Sequence, residues 1–221
     1  MTAKRRSATV KKPMRRPAAA HLLVIECDSA RLSAQGLSVG SEIAALAGQA
    51  FPKKRIVLIQ TATCPALLKR CAEVLQEHGR FRSILIVGHS DENGLILTND
   101  RMFQWGAVAE WIRPFSPQFV FLAACDAGHS LPAARFFVTI HSLREVYASP
   151  AKVTRSHALA LVGLLVQVLK TRRMDEVVLR IVQGLNFVAF RGVLYRWKRA
   201  EFRSGREMRA RIWDLAAARF N

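Results

Sequence analysis

Four short apolar runs, separated by stretches of helical periodicity, limit what this chain can fold into more than any other feature. The runs are HLLVIE at 21–26, RIVLIQ at 55–60, RSILIV at 82–87 and FVFLAA at 119–124. Each has the length of a strand, and the nearly unbroken apolar character means burial on both faces. After the first run, Ile43, Leu46, Ala47 and Ala50 recur at helical spacing behind Ser41, a residue suited to capping. After the second, Leu67, Leu68, Cys71, Val74 and Leu75 form a stripe, with Pro65 in its first turn and Gly79 just past its end. Trp105, Val108 and Ile112 mark a further helix that Pro114 stops. A short strand or hairpin arm is expected at Gly94–Leu97, a helix from Pro132 to Ile140 and a short strand from Glu145 to Ala148. Two more helices should carry Leu159, Val162, Val166 and Leu169, then Val177, Val178, Ile181, Leu185 and Val188. Strands alternating with helices make an α/β fold, a mostly parallel central sheet flanked by helices.

With 221 residues, 51% of them apolar, the chain is long enough for one sizeable domain with tails. The net charge of +18 is spread unevenly. Residues 1–20 contain Lys4, Arg5, Arg6, Lys11, Lys12, Arg15 and Arg16 with no acid, and read as a disordered basic tail or, in a eukaryote, an organellar transit peptide. The domain proper should run from 21 to 190. Residues 191–221 read as a basic C-terminal extension with an amphipathic helix from Glu207 to Phe220, whose Ile212, Trp213, Leu215 and Phe220 would pack on the sheet or meet a membrane or partner. Cys27, Cys64, Cys71 and Cys125 show no Cys-x-x-Cys pair, and no His pair stands at zinc spacing. No metal or cofactor is therefore expected, and the compartment reads as reducing and cytoplasmic. No secretory signal is recognisable, and the apolar stretch Ala158–Leu169 is too short to span a bilayer.

Chemistry in open α/β sheets collects beyond the carboxyl ends of the strands. The third run continues into Gly88-His89-Ser90, and the fourth into Cys125-Asp126-Ala127-Gly128. If the two strands are parallel neighbours, His89 and Cys125 emerge on one edge. A cysteine nucleophile needs a base or an ion-pair partner, and its tetrahedral intermediate needs oxyanion donors. The backbone N–H of Cys125 and one near Ser90 are candidates for those donors, and Gly128 would relieve the turn after the nucleophile. His129 stands too close in sequence to Cys125 to serve easily as its base. Cys27, Cys64 and Cys71 read as core or helix-face residues.

The segments ILIVGHSDENGLIL and FVFLAACDAG, followed by the strand EVYASP, resemble in order the pattern of the caspase-like cysteine peptidases of clan CD, most of all the prokaryotic branch called CHAT domains and more distantly metacaspases. The resemblance covers residues 21–190. It implies a caspase-like sandwich and hydrolysis of a protein substrate, with His89 as general base and Cys125 as nucleophile. It also implies oxyanion contacts from the backbone of Ser90 and Cys125, although the family usually has Gly where this chain has Ser90. In the metacaspase pattern an acid near the end of the first strand helps to bind a basic residue, which points to Asp28, with Asp126 as the other well-placed acid. Such domains often need an activating protein partner, and small prokaryotic members are often linked to defence or cell-death pathways.

Two other classes compete. Gly88-His89-Ser90 matches the start of a serine-hydrolase elbow, but Glu92 occupies the position where that strained turn requires Gly. A catalytically inactive binding or scaffold module is the other alternative. The basic ends suit phosphate contacts, while no zinc finger or RNA-binding aromatic signature is present. If the ends bind a polyanion, affinity for a labelled duplex should fall at least ~100-fold between about 50 and 200 mM salt, because each phosphate contact releases counterions. It should be blind to sequence, survive Cys125→Ala and weaken when residues 1–20 are removed. Absence of binding even at low salt would leave the ends as solubilising surface.

Overall fold

Parallel pairing organises the chain. Strand β1 (Ala20–Cys27) lies between β2 (Ile56–Thr61) and β3 (Phe81–Ser90), parallel to both. β3 runs on into an antiparallel pair with β4 (Gly94–Leu97), which pairs with β5 (Arg101–Gln104). On its other side β3 pairs in parallel with β6 (Phe119–Ala124), and β6 with β7 (Glu145–Ala148). β8 (Val193–Lys198) and β9 (Arg211–Asp214) extend this edge by antiparallel pairing, giving the order β2-β1-β3-β6-β7-β8-β9. These elements come from a computed structural model that describes residues 20–27, 32, 34, 35, 38–50, 56–61, 64–97, 101–149, 152, 153, 193–198 and 211–214.

Parallel neighbours require crossovers, and helices supply them. α1 (Gly40–Ala50) joins β1 to β2, α2 (Cys64–His78) joins β2 to β3, α3 (Trp105–Ile112) leads from β5 toward β6, and α4 (Ser130–Thr139) joins β6 to β7. Strand side chains alternate between faces, so each continuous apolar run feeds two cores. Leu23, Ile25 and Cys27 of β1, Ile84 and Ile86 of β3, and Val120, Leu122 and Ala124 of β6 form one buried cluster with Leu67, Cys71 and Val74 of α2, Trp105, Val108 and Ile112 of α3, and Phe136 and Phe137 of α4. The alternate residues Leu22, Val24, Leu85, Val87, Phe121 and Ala123 are equally buried on the face of α1, where Ile43 and Ala47 are shielded. Phe121 stacks on Tyr147 on this second face, with ring centroids 4.7 Å apart and nearly parallel planes. Each such fully buried side chain contributes about 1.5–3 kcal/mol of transfer free energy, so both layers are needed.

The α/β fold with a mostly parallel, helix-flanked sheet is as the sequence predicts. The third strand runs further than its apolar core, through Gly88 and His89 to Ser90, because β4 pairs with its last two residues. One correction falls at the C-terminus. Where an amphipathic helix is expected between Glu207 and Phe220, Arg211–Asp214 forms strand β9. Pairing with β8 decides the matter, because Ile212 and Trp213 alone serve either period. The helices expected around Leu159–Leu169 and Val177–Val188, and residues 1–19, lie outside the described residues.

A second correction concerns the start of α1. Ser41 is exposed and does not cap it; a buried carboxylate does. Glu26, fully buried at the end of β1, accepts the N–H groups of Val39 at 2.8 Å and Gly40 at 2.9 Å, the Ser38 hydroxyl, and the Gln60 amide of neighbouring β2 at 2.7 Å. A carboxylate is favoured at a helix N-terminus by the orphan donors and the positive dipole end. Gly40 is required by this approach, since a Cβ there would stand 2.8 Å from Glu26 Oε2. Glu26→Ala should therefore lower stability by about 3 kcal/mol or more, because buried donors lose their acceptor. Gly40→Ala should also destabilise. Denaturant unfolding of both variants checks this, and an unchanged midpoint in Glu26→Ala would remove the carboxylate from its anchoring role.

Candidate functional site

The β3–β6 ladder ends at the pair Gly88↔Ala124, so His89 and Cys125 occupy the next register position, side by side at the carboxyl edge. Alternation sets their direction. Gly88 belongs to the face of Cys27 and Leu95, since a Cβ on it would meet Cys27 Cβ at 3.3 Å and Leu95 Cδ1 at 3.2 Å, and Ala124 lies in the same core cluster. His89, one residue on in β3, falls on the opposite face, the face of α1, and Cys125 opens the turn directly after β6. Both are partly exposed.

Local bonds fix the segments that carry them. Asp91 Oδ1 accepts the N–H groups of Asn93 at 2.7 Å and Gly94 at 3.0 Å, an Asx turn that folds β3 back into β4. The indole N–H of buried Trp105 donates to the Asp91 carbonyl at 3.2 Å, pinning that turn to α3. Asp91 N–H bonds to the Gly94 carbonyl, so Ser90↔Leu95 is the wide, non-bonded pair of the antiparallel ladder and the Ser90 N–H is turned away from β4. The Ser90 hydroxyl donates to the Cys125 carbonyl. Ser90 thus ties the end of β3 to the turn that carries Cys125.

That turn, 125–128, is held at its far end by the Gly128 N–H, which donates to the Ser149 carbonyl beyond β7 at 2.7 Å. The expectation that Gly128 relieves the turn is corrected. The left-handed residue is Asp126, with φ of 54°, a conformation that Asp tolerates better than most side chains. His129, exposed at the start of α4, gives no side-chain cap. Asp28 lies outside the described residues.

Two contacts at the site were not legible in the sequence. The Val153 N–H donates to Cys125 Sγ at 3.3 Å, and the thiol faces the Val153 carbonyl at 4.0 Å. Gln35 Oε1 lies 3.2 Å from His89 Nε2. Both partners sit on connections, where neither periodicity nor a motif marks them. The other described cysteines are placed for packing: Cys27 and Cys71 line a small apolar cavity with Leu67, Leu95 and Val108, and burial pushes the Cys71 thiol up to about 12. Among the described residues no group of His, Cys, Asp and Glu is assembled to hold a metal, and no helix is long and apolar enough to cross a membrane.

No protein-family model matches this chain, and no curated protein does. Among solved structures it is similar to the X-ray structure of a secreted C11 cysteine protease from Bacteroides thetaiotaomicron, "iotapain", with a TM-score of 0.60 and 11% sequence identity over 84% of this chain and 68% of that one. At that identity the likeness is one of fold, and the fold is caspase-like.

The Ser90 clamp makes a specific prediction. Ser90→Ala should cost about 1 kcal/mol by removing one hydrogen bond and leaving the Cys125 carbonyl short of a donor. Gly88→Ala should cost more, because its Cβ meets both Cys27 and Leu95 in a packed layer. Thermal unfolding of the two variants against the parent checks the order.

Proposed function

We propose that this chain is a cysteine endopeptidase acting on a protein substrate, with Cys125 as nucleophile and His89 as general base. The observation that carries the reading is the ladder: its last pair, Gly88↔Ala124, sets His89 and Cys125 side by side just past it, at the carboxyl edge of two parallel strands. The caspase-like fold shared with a C11 cysteine protease supports it. In the proposed cycle His89 takes the thiol proton and the sulfur attacks the scissile carbonyl carbon, forming a tetrahedral oxyanion. The N–H groups of Cys125 and Ser90 donate hydrogen bonds to that oxyanion. Collapse breaks the C–N bond, His89 returns the proton to the leaving amine, and water then hydrolyses the thioester with His89 again as base.

Asp28 and Asp126 are proposed to face a basic side chain of the substrate, by charge complementarity. The placement within the CHAT branch, the link to prokaryotic defence or cell death, and the need for an activating partner rest on the sequence resemblance alone. A cytoplasmic setting rests on the cysteine pattern. One observation favours the inactive scaffold instead: Ser90 puts a buried hydroxyl where the family pattern has Gly, and that hydroxyl is committed to the Cys125 carbonyl.

A cysteine-directed peptidyl probe separates the two. Labelling should be complete in the parent and absent in Cys125→Ala, and peptide hydrolysis should fall at least ~1,000-fold in that variant. His89→Ala should lose roughly 100-fold or more. Cys71→Ser should label normally, because the Cys71 thiol is buried and stays protonated at neutral pH. A parent that neither labels nor cleaves with any peptide or partner would establish the scaffold reading.

A further inference from the structure

A histidine at the end of a strand can turn about both of its side-chain torsions, and only some ring orientations present a basic nitrogen to a neighbouring thiol. Working nucleophile–base pairs therefore include a third group that orients the base. We propose that Gln35 is that positioning residue. The inference rests on the reading of His89 and Cys125 as the catalytic pair.

Gln35 Oε1 approaches His89 Nε2 to 3.2 Å. In the tautomer with its hydrogen on Nε2, the ring donates to the carboxamide oxygen and Nδ1 is its basic nitrogen, and this is the tautomer the proposal assigns. That division suits the register. Adjacent strands lie only about 4.8 Å apart. The proposal assigns Nδ1, the ring nitrogen nearer the backbone, to Cys125 across that short step, and Nε2 to Gln35.

The connection is built to hold its position. Leu32 is 4% exposed, and its carbonyl accepts the Ser38 N–H at 3.1 Å, closing the loop that contains Gln35. Ser38, Val39 and Gly40 are fixed in turn by the buried Glu26 carboxylate. Gln35 is exposed, so it has no packing role there, and its carboxamide lies within hydrogen-bond reach of the imidazole.

The rate of Cys125 alkylation by iodoacetamide tests this without requiring a known substrate. The rate follows the thiolate fraction that His89 sustains. Gln35→Leu should slow it roughly ten- to hundredfold, as misplacement of a catalytic group does. Gln35→Glu should restore it, because a carboxylate accepts the same Nε2 hydrogen, and neither change should move the melting temperature appreciably. Alkylation at the parent rate in Gln35→Leu, with His89→Ala slow, would overturn the role of Gln35 and leave the catalytic pair standing. Equal slowing in Gln35→Leu and Gln35→Glu would also overturn it, since the acceptor would then be irrelevant. Alkylation at the parent rate in His89→Ala would instead defeat the pairing of His89 with Cys125.

Discussion

Everything at the carboxyl edge depends on the parallel ladder between β3 and β6. A slip of one residue in that ladder would turn one of the two reactive side chains to the opposite face, since side-chain direction alternates strictly along a strand. Burial of both faces prevents the slip. Moving Ile84 and Ile86 out of the cluster under α2 and α3, or Leu85 and Val87 out of the layer under α1, would lose several side chains' worth of transfer free energy at once. The apolar runs are thus more than sheet-forming segments. They act as a vernier that sets where the polar residues just past their ends come to stand.

The polar contacts around the edge make a second system laid over the first. Glu26 fixes the entry to α1, Asp91 and Trp105 fix the turn after β3, and the Ser90 hydroxyl and the Gly128 amide hold the turn after β6 from opposite ends. Apart from the local Asp91 turn, each of these bonds joins segments distant in sequence. Together they tie the described turns beside His89 and Cys125 to the sheet and to its helices.

What was legible in the sequence follows this division. The strands around Leu23, Ile84 and Phe121 announce themselves because continuous burial demands continuous apolar character, whereas the edge strand around Leu58 is apolar but only half-buried. His89 and Cys125 stand out because each is the first reactive group after such a run. The polar system was not legible. Glu26 looks like an ordinary strand terminus until Val39 and Gly40 are folded onto it, and Gln35 and Val153 carry no local pattern because tertiary approach alone brings them to the edge. Asp126 took the left-handed position that Gly128 seemed to offer, since the tight reversal comes directly after the strand rather than at the end of the turn. The sequence around Arg211–Asp214 suits a helix as well as a strand because a short apolar pattern fits either period, and only the partner strand decides between them.

The placing of the thiols has a consequence for redox chemistry. Cys27 and Cys71 are sealed beside one apolar cavity, and burial keeps Cys71 protonated far above neutral pH, whereas Cys125 stands partly open at the edge with a backbone N–H against its sulfur. Peroxide attacks thiolates that it can reach. Among these three sulfurs the fold therefore directs oxidation to Cys125, so a sulfenic acid would form first on the very atom proposed to act on the substrate. Oxidant exposure would then silence the edge while leaving the core intact, and a small-molecule thiol would be enough to reverse it.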